Sequence, residues 1–316
     1  MLHPHARALL NLMEERGIPP VHTLSPTDAR ALYRDRRQLT QPAPPEVSLV
    51  CDLSINGPHG PIALRLYRPF GAIADAILPV LVYFHGGGFV IGDLETHDTL
   101  CRMLSNRAGC AVVSVDYRLA PEHVFPCAVD DCLAATYWVL HNATAHKIDG
   151  SRLAVGGDSA GGNLAAVVSQ IARDAGNLPI AFQLLINPIT DGRRLAPSHK
   201  VNAQGYMLTA DTLDYFTNNY IPDKSELTNL RASPQLNPNL TKLPPALILT
   251  AGYDPLRDEG LEYGQLLTNA GNKVAVINFP RQIHNFLMMG RVNAEADTAV
   301  SLCANELRSA LNAQAD

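Results

Sequence analysis

The chain has 316 residues, 47% hydrophobic and 17% charged, with a formal net charge of −5. It can bury a substantial core as one large α/β unit spanning residues 1–316, and its acidic balance offers no footprint for nucleic acid or an anionic membrane. No apolar run approaches membrane-spanning length, and the opening MLHPHARALLNLMEERG lacks the basic start, apolar segment and small-residue cleavage site of a signal peptide. Cys51, Cys101, Cys110, Cys127, Cys132 and Cys303 show no C-x-x-C or metal-ligand spacing. Buried reduced thiols in a cytoplasmic protein, with no metal, are expected.

Two helices open the chain. Pro4 begins one with Leu9, Leu12 and Met13 on a face. Ser25-Pro26-Thr27-Asp28 begins another, with a capping serine, proline at the first helical position and an acid three residues after the cap. Arg34, Arg36 and Arg37 on this second helix read as a solvated face. Gln41-Pro42-Ala43-Pro44-Pro45 is a stiff linker.

From Val47 the pattern changes to strands. Ile62, Leu64 and Leu66 alternate with Ala63, Arg65 and Tyr67, as in a half-exposed antiparallel strand. Solid apolar runs follow at Val80–Phe84, Cys110–Val115, Leu153–Val155, Ala181–Ile186, Ala246–Thr250 and Val274–Phe279. Helical segments around Asp98–Arg107 and Ala128–His141 fall between the early ones. Solid runs alternating with helices predict a mostly parallel sheet covered on both faces, with ligands bound at the carboxyl ends of its strands.

Between Asp191 and Pro222 there is no strand signal, but Leu213, Phe216 and Tyr220 mark one face of a helix capped by Thr209. We read 192–222, together with 1–45, as a helical cap over the site. The plainer reading is a surface excursion. As a cap it presents Tyr206, Met207, Leu208 and Phe216 to substrate. Asp211, Thr212, Asp214, Asn218 and Asn219 keep it too polar for stable membrane association.

The run Leu153-Ala154-Val155 ends at Gly156-Gly157-Asp158-Ser159-Ala160-Gly161-Gly162, and Leu164, Val167, Val168 and Ile171 continue at helical spacing. So sharp a strand-to-helix turn needs small neighbours. It presents Ser159 Oγ at a helix N-terminus, where positive potential favours developing negative charge. A glycine-rich turn with a capping serine is the alternative, and partners elsewhere must decide.

A serine hydroxyl becomes nucleophilic when a histidine takes its proton and a carboxylate orients that histidine. Asp254 follows the run Ala246–Thr250, and His284 follows Val274–Phe279, in the order Ser…Asp…His expected of this architecture. Asp254 before Pro255 also suits a helix N-cap. Asp258 is the rival acid, and His97 and His123 are the rival bases. Directly after a strand, His85-Gly86-Gly87-Gly88 brings backbone N–H groups to a substrate carbonyl. We expect Gly86, Gly87 and Ala160 to form the oxyanion hole, with His85 anchoring the loop.

Together these motifs resemble the bacterial hormone-sensitive-lipase-like esterases (family IV) of the α/β-hydrolase superfamily. The resemblance rests on His85-Gly86-Gly87-Gly88, Asp116-Tyr117-Arg118-Leu119-Ala120-Pro121-Glu122, Gly157-Asp158-Ser159-Ala160-Gly161-Gly162, Asp254-Pro255-Leu256-Arg257-Asp258 and His284. It implies a serine carboxylesterase with an α/β-hydrolase fold and a helical cap, acting on a small-molecule ester with a short acyl chain and needing no cofactor. In some relatives the run matching Val274–Phe279 pairs across a homodimer, and the resemblance extends that expectation here. Asn285 departs from the family, which usually has glycine after the histidine. Amide, carbamate or acetylated-sugar hydrolysis on the same triad stays open. A non-catalytic binding relative is disfavoured by the presence of His284.

Overall fold

The alternation of apolar runs with helices produces one eight-stranded sheet in the computed structural model, which describes residues 1–312. The strands are β1 (Leu49–Gly57), β2 (Gly60–Arg68), β3 (Leu78–Phe84), β4 (Ala111–Asp116), β5 (Ile148–Asp158), β6 (Ile180–Ile186), β7 (Ala246–Tyr253) and β8 (Val274–Ile283). Their order is β1-β2-β4-β3-β5-β6-β7-β8. β1 and β2 form a hairpin, and β2 joins β4 antiparallel. From β4 to β8 every pairing is parallel.

The helices are α1 (Pro4–Glu15), α2 (Pro26–Thr40), α3 (Leu94–Ala108), α4 (Cys127–His141), α5 (Ala160–Ala175), α6 (Ser198–Val201), α7 (Ala210–Tyr220), α8 (Arg257–Asn269) and α9 (Glu295–Asn312). Ser25 caps α2 by accepting from the Asp28 N–H, and Thr209 caps α7 by accepting from Thr212. Helices cover both faces of the sheet, which is why β3 and β4 are apolar at nearly every position. α4 and α5 close one face through Val129, Leu164 and Val168, and α3 and α9 close the other through Leu104, Val300 and Leu307.

Because the central strands are parallel, their carboxyl ends share one edge. Phe84, Asp158, Ile186, Tyr253 and Ile283 end there, so the loops that begin at His85, Ser159, Asn187, Asp254 and His284 emerge side by side. Above that edge, α2 is fastened to the body by Arg30. Its guanidinium donates to the Val90 carbonyl at 2.8 Å, to the Ala120 carbonyl at 2.9 Å and to both Glu122 oxygens. All six cysteines are unpaired thiols. Among the described residues, no helix is long and apolar enough to cross a membrane.

Candidate active site

β5 ends at Asp158 and α5 begins at Ala160, leaving one residue for the reversal. Ser159 makes it with φ 56° and ψ −116°, outside the regions an L-residue ordinarily occupies. The conformation is over-determined by its surroundings. Ser159 N–H donates to the Ile186 carbonyl at 2.8 Å, and its own carbonyl accepts from Asn163 at 3.1 Å and Ile189 at 3.3 Å. Gly161 lets α5 sit directly against β3, since a Cβ there would strike the Phe84 carbonyl.

The β7 and β8 loops supply an acid and a base. His284 Nδ1 lies 2.7 Å from Asp254 Oδ2, with Asp254 fully buried. That carboxylate also accepts from Asn187 Nδ2 at 2.9 Å and, on Oδ1, from the Leu256 N–H at 2.8 Å. Asp254 thus orients the imidazole and shapes the turn into α8 with the same group. Asp258 lies in the first turn of α8 and pairs with Arg257 at 2.6 Å, away from the histidine. His123 is exposed, and His97 is fully buried in α3, 3.1 Å from Asp158. Ser159 and His284 line the same cavity. They share no hydrogen bond among the described residues; such contacts commonly tighten only when substrate is bound.

The structure corrects the expected oxyanion donors. Gly86 N–H is already engaged, donating to Asp158 Oδ1 at 3.0 Å and approaching His97 Nε2 at 3.3 Å. The N–H groups of Gly87, Gly88 and Ala160 carry no hydrogen bond among the described residues, and Gly87 and Gly88 line the cavity. The available set is therefore Gly87, Gly88 and Ala160, shifted by one residue. Spacing along a glycine run cannot say which N–H is consumed; the buried carboxylate of Asp158 decides it. His85 anchors the loop, its Nδ1 2.9 Å from the Gly86 carbonyl and its ring stacked on Tyr117 at 4.2 Å. Burial pushes its pKa down to about 4, so it is neutral.

Asp158 is the polar centre of the site. Burial would raise its pKa, but His97 and the Tyr83 hydroxyl at 2.7 Å outweigh that and hold it at about 2. Asn285, in the left-handed conformation at φ 52°, donates to it from Nδ2 at 2.7 Å.

A cavity of about 130 Å³ opens above Ser159. Met207, Leu208 and Phe216 line it as expected, and Phe216 lies against Gly88, where a Cβ would strike its ring. Tyr206 does not line it; its ring instead meets Tyr253 at 4.8 Å. Of the N-terminal segment, residues from Val21 to Gln41 contribute, while α1 buries Ala6 and Leu9 in the core away from the cavity. Leu227 and Ala232 extend the lining beyond 222, and no periodic signal marked them. Arg36 and Arg37, read as a solvated face, also line the cavity.

A family profile described as alpha/beta hydrolase fold matches residues 81–288, which contain the elbow, the glycine loop, Asp254 and His284. The chain is 46% identical to the esterase LipI of Mycobacterium tuberculosis over 86% of this chain and 85% of that protein. It is 37% identical to an ethyl acetate hydrolase of Pseudomonas putida over 98% and 99% of the two chains. Among solved structures, an ester hydrolase from the metagenome of Lake Arreo superposes with a TM-score of 0.95 at 45% identity, covering 99% of this chain and 100% of that one. With the fold, the ordered motifs and these likenesses in agreement, the chain belongs to the hormone-sensitive-lipase-like esterase family of the α/β-hydrolase superfamily.

Proposed function

We propose that Ser159 is the nucleophile of a carboxylesterase, with His284 as general base and acid and Asp254 as the group that orients it. The 2.7 Å Asp254–His284 contact, in one cavity with a strained serine, carries this reading. His284 Nε2 takes the Ser159 proton as Oγ attacks the ester carbonyl. The oxyanion forms against the N–H groups of Gly87, Gly88 and Ala160, each worth roughly 3–4 kcal/mol when such a donor is removed. His284 then protonates the leaving alkoxide, and water, activated by the same imidazole, releases the acid from the acyl-enzyme. Residues 21–41 and 192–222, with Leu227 and Ala232, act as the cap that encloses the acyl chain.

Relatives named esterases and an ethyl acetate hydrolase support a short-acyl ester as substrate. The test is a panel of acyl esters and amides differing in one part at a time. Turnover of acetate to hexanoate esters well above the matched amides is expected. Faster turnover of amides would move the protein to the amidase reading. No turnover of any, with Ser159 unlabelled by an activated phosphonate, would leave only a binding role.

A further inference from the structure

The cavity wall is electrostatically one-sided. Its lining includes Arg36 and Arg37 and no aspartate or glutamate. Three of the four arginines of α2 have carboxylate partners: Arg30 with Glu122, Arg34 with Asp93, and Arg37 with Glu95. Arg36 has none among the described residues. Its guanidinium lies over the Tyr33 ring at 5.1 Å and makes no side-chain hydrogen bond there.

Desolvation lowers the Arg36 pKa from its ordinary value, but a guanidinium stays charged at neutral pH. Arg36 is half-buried and its N–H donors open to the cavity, so an anion entering there gains a charge-assisted pair without displacing a partner carboxylate. The planar fork matches one carboxylate through two parallel N–H bonds. Arg36 and Ser159 line the same cavity, so an anion held at Arg36 and an ester at Ser159 would meet in one space. The negative group therefore belongs to the substrate.

We propose that Arg36 is an anion-recognising residue of the substrate pocket, and that the preferred substrates are short esters carrying a free carboxylate. The proposal rests on the esterase reading above. The carboxylate can belong to the alcohol part, as in an acyloxy acid, or to the acid part, as in a dicarboxylate monoester.

The experiment compares kcat/KM within two isosteric pairs: 2-acetoxypropanoate against 2-acetoxypropanamide, and monoethyl succinate against ethyl succinamate. In the unsubstituted protein, one pair should show a preference for the carboxylate of tenfold or more, shrinking in 0.5 M salt. The favoured pair identifies the source of the anion. Arg36→Gln should cut that ratio by about 10- to 100-fold, and Arg36→Lys should keep part of it, because the charge survives without the fork. A ratio near one in both pairs, or a ratio changed less than twofold by Arg36→Gln, overturns the proposal while leaving the esterase reading intact. No turnover of any of the four overturns the proposal, and it overturns the esterase reading as well only if simple acetate to hexanoate esters are also left intact. The ratio in the unsubstituted protein and its salt dependence decide the matter if Arg36→Gln does not fold.

Discussion

Asn285 Nδ2 donates a 2.7 Å hydrogen bond to Asp158 Oδ2, tying the residue after the base to the residue before the nucleophile. The other Asp158 oxygen accepts from Gly86 N–H at 3.0 Å. One buried carboxylate thereby joins the histidine loop, the elbow and the oxyanion loop. The left-handed backbone at position 285 suits the glycine usual in the family, and asparagine is among the few other residues that adopt it readily. The side chain uses that tolerance to reach Asp158.

Asn285 is accordingly a positioning residue. Asn285→Gly keeps the backbone but releases the tie, and we expect kcat to fall about tenfold with KM within twofold, alongside a drop in unfolding midpoint of a few degrees. Asn285→Asp sets two carboxylates together, so its activity should be lower still and recover partly on mild acidification. A lowered midpoint with kcat unchanged in Asn285→Gly would make the contact purely structural.

Ser159→Ala and His284→Ala should each lower kcat by at least roughly 10⁴-fold, and the double variant should be hardly worse than either. Groups that act as one unit lose their effect together. Single-turnover assays of the three variants check this; additive losses would argue for independent roles.

Asp158 makes stability depend on pH in a definite direction. Its folded pKa of about 2 lies below the ordinary aspartate value of about 3.9, so the folded state favours the ionised form. The contribution is complete above about pH 4 and is lost as pH falls toward 2. It is on the order of 2 kcal/mol by linkage. Asp158→Asn should therefore be destabilised near neutrality, and its deficit should narrow between pH 4 and 2 in denaturant titrations. A deficit constant with pH would show that hydrogen bonding alone, not charge, holds the centre.

Chain-length preference follows from the cavity. Each buried methylene adds about 0.8 kcal/mol, about fourfold in kcat/KM, until the lining of Met207, Leu208 and Phe216 is reached. We expect a rise from acetate to a maximum near butyrate or hexanoate and then a steep fall. Phe216→Ala, which empties the space over Gly88, should shift the maximum to longer chains. Equal loss on every chain length would assign Phe216 to packing. Vigorous hydrolysis of emulsified long-chain triglyceride would make the protein a true lipase.

What the sequence alone determined is what local backbone chemistry encodes. Glycines around Ser159 allow the tight strand-to-helix turn, and solid apolar runs point to a sheet covered on both faces. Parallel strands then bring the loops of Ser159, Asp254 and His284 to one edge. Even the acid was legible, because Asp258 one helical turn later had to follow α8 away from the site. The tertiary structure decided what depends on groups distant in the chain. Gly86 and Gly88 are alike as residues, and only Asp158, 72 positions from Gly86, removes one N–H from use. Tyr206 and Met207 are neighbours, yet one turns to Tyr253 and the other to the cavity. Arg36 sits on a helix whose polar pattern reads as solvated. Which face of α2 meets solvent is set by the Arg30 clamp to Val90, Ala120 and Glu122, and that docking turns Arg36 inward. Periodicity gives a helix its faces, but the surface it docks on decides which of them is inside.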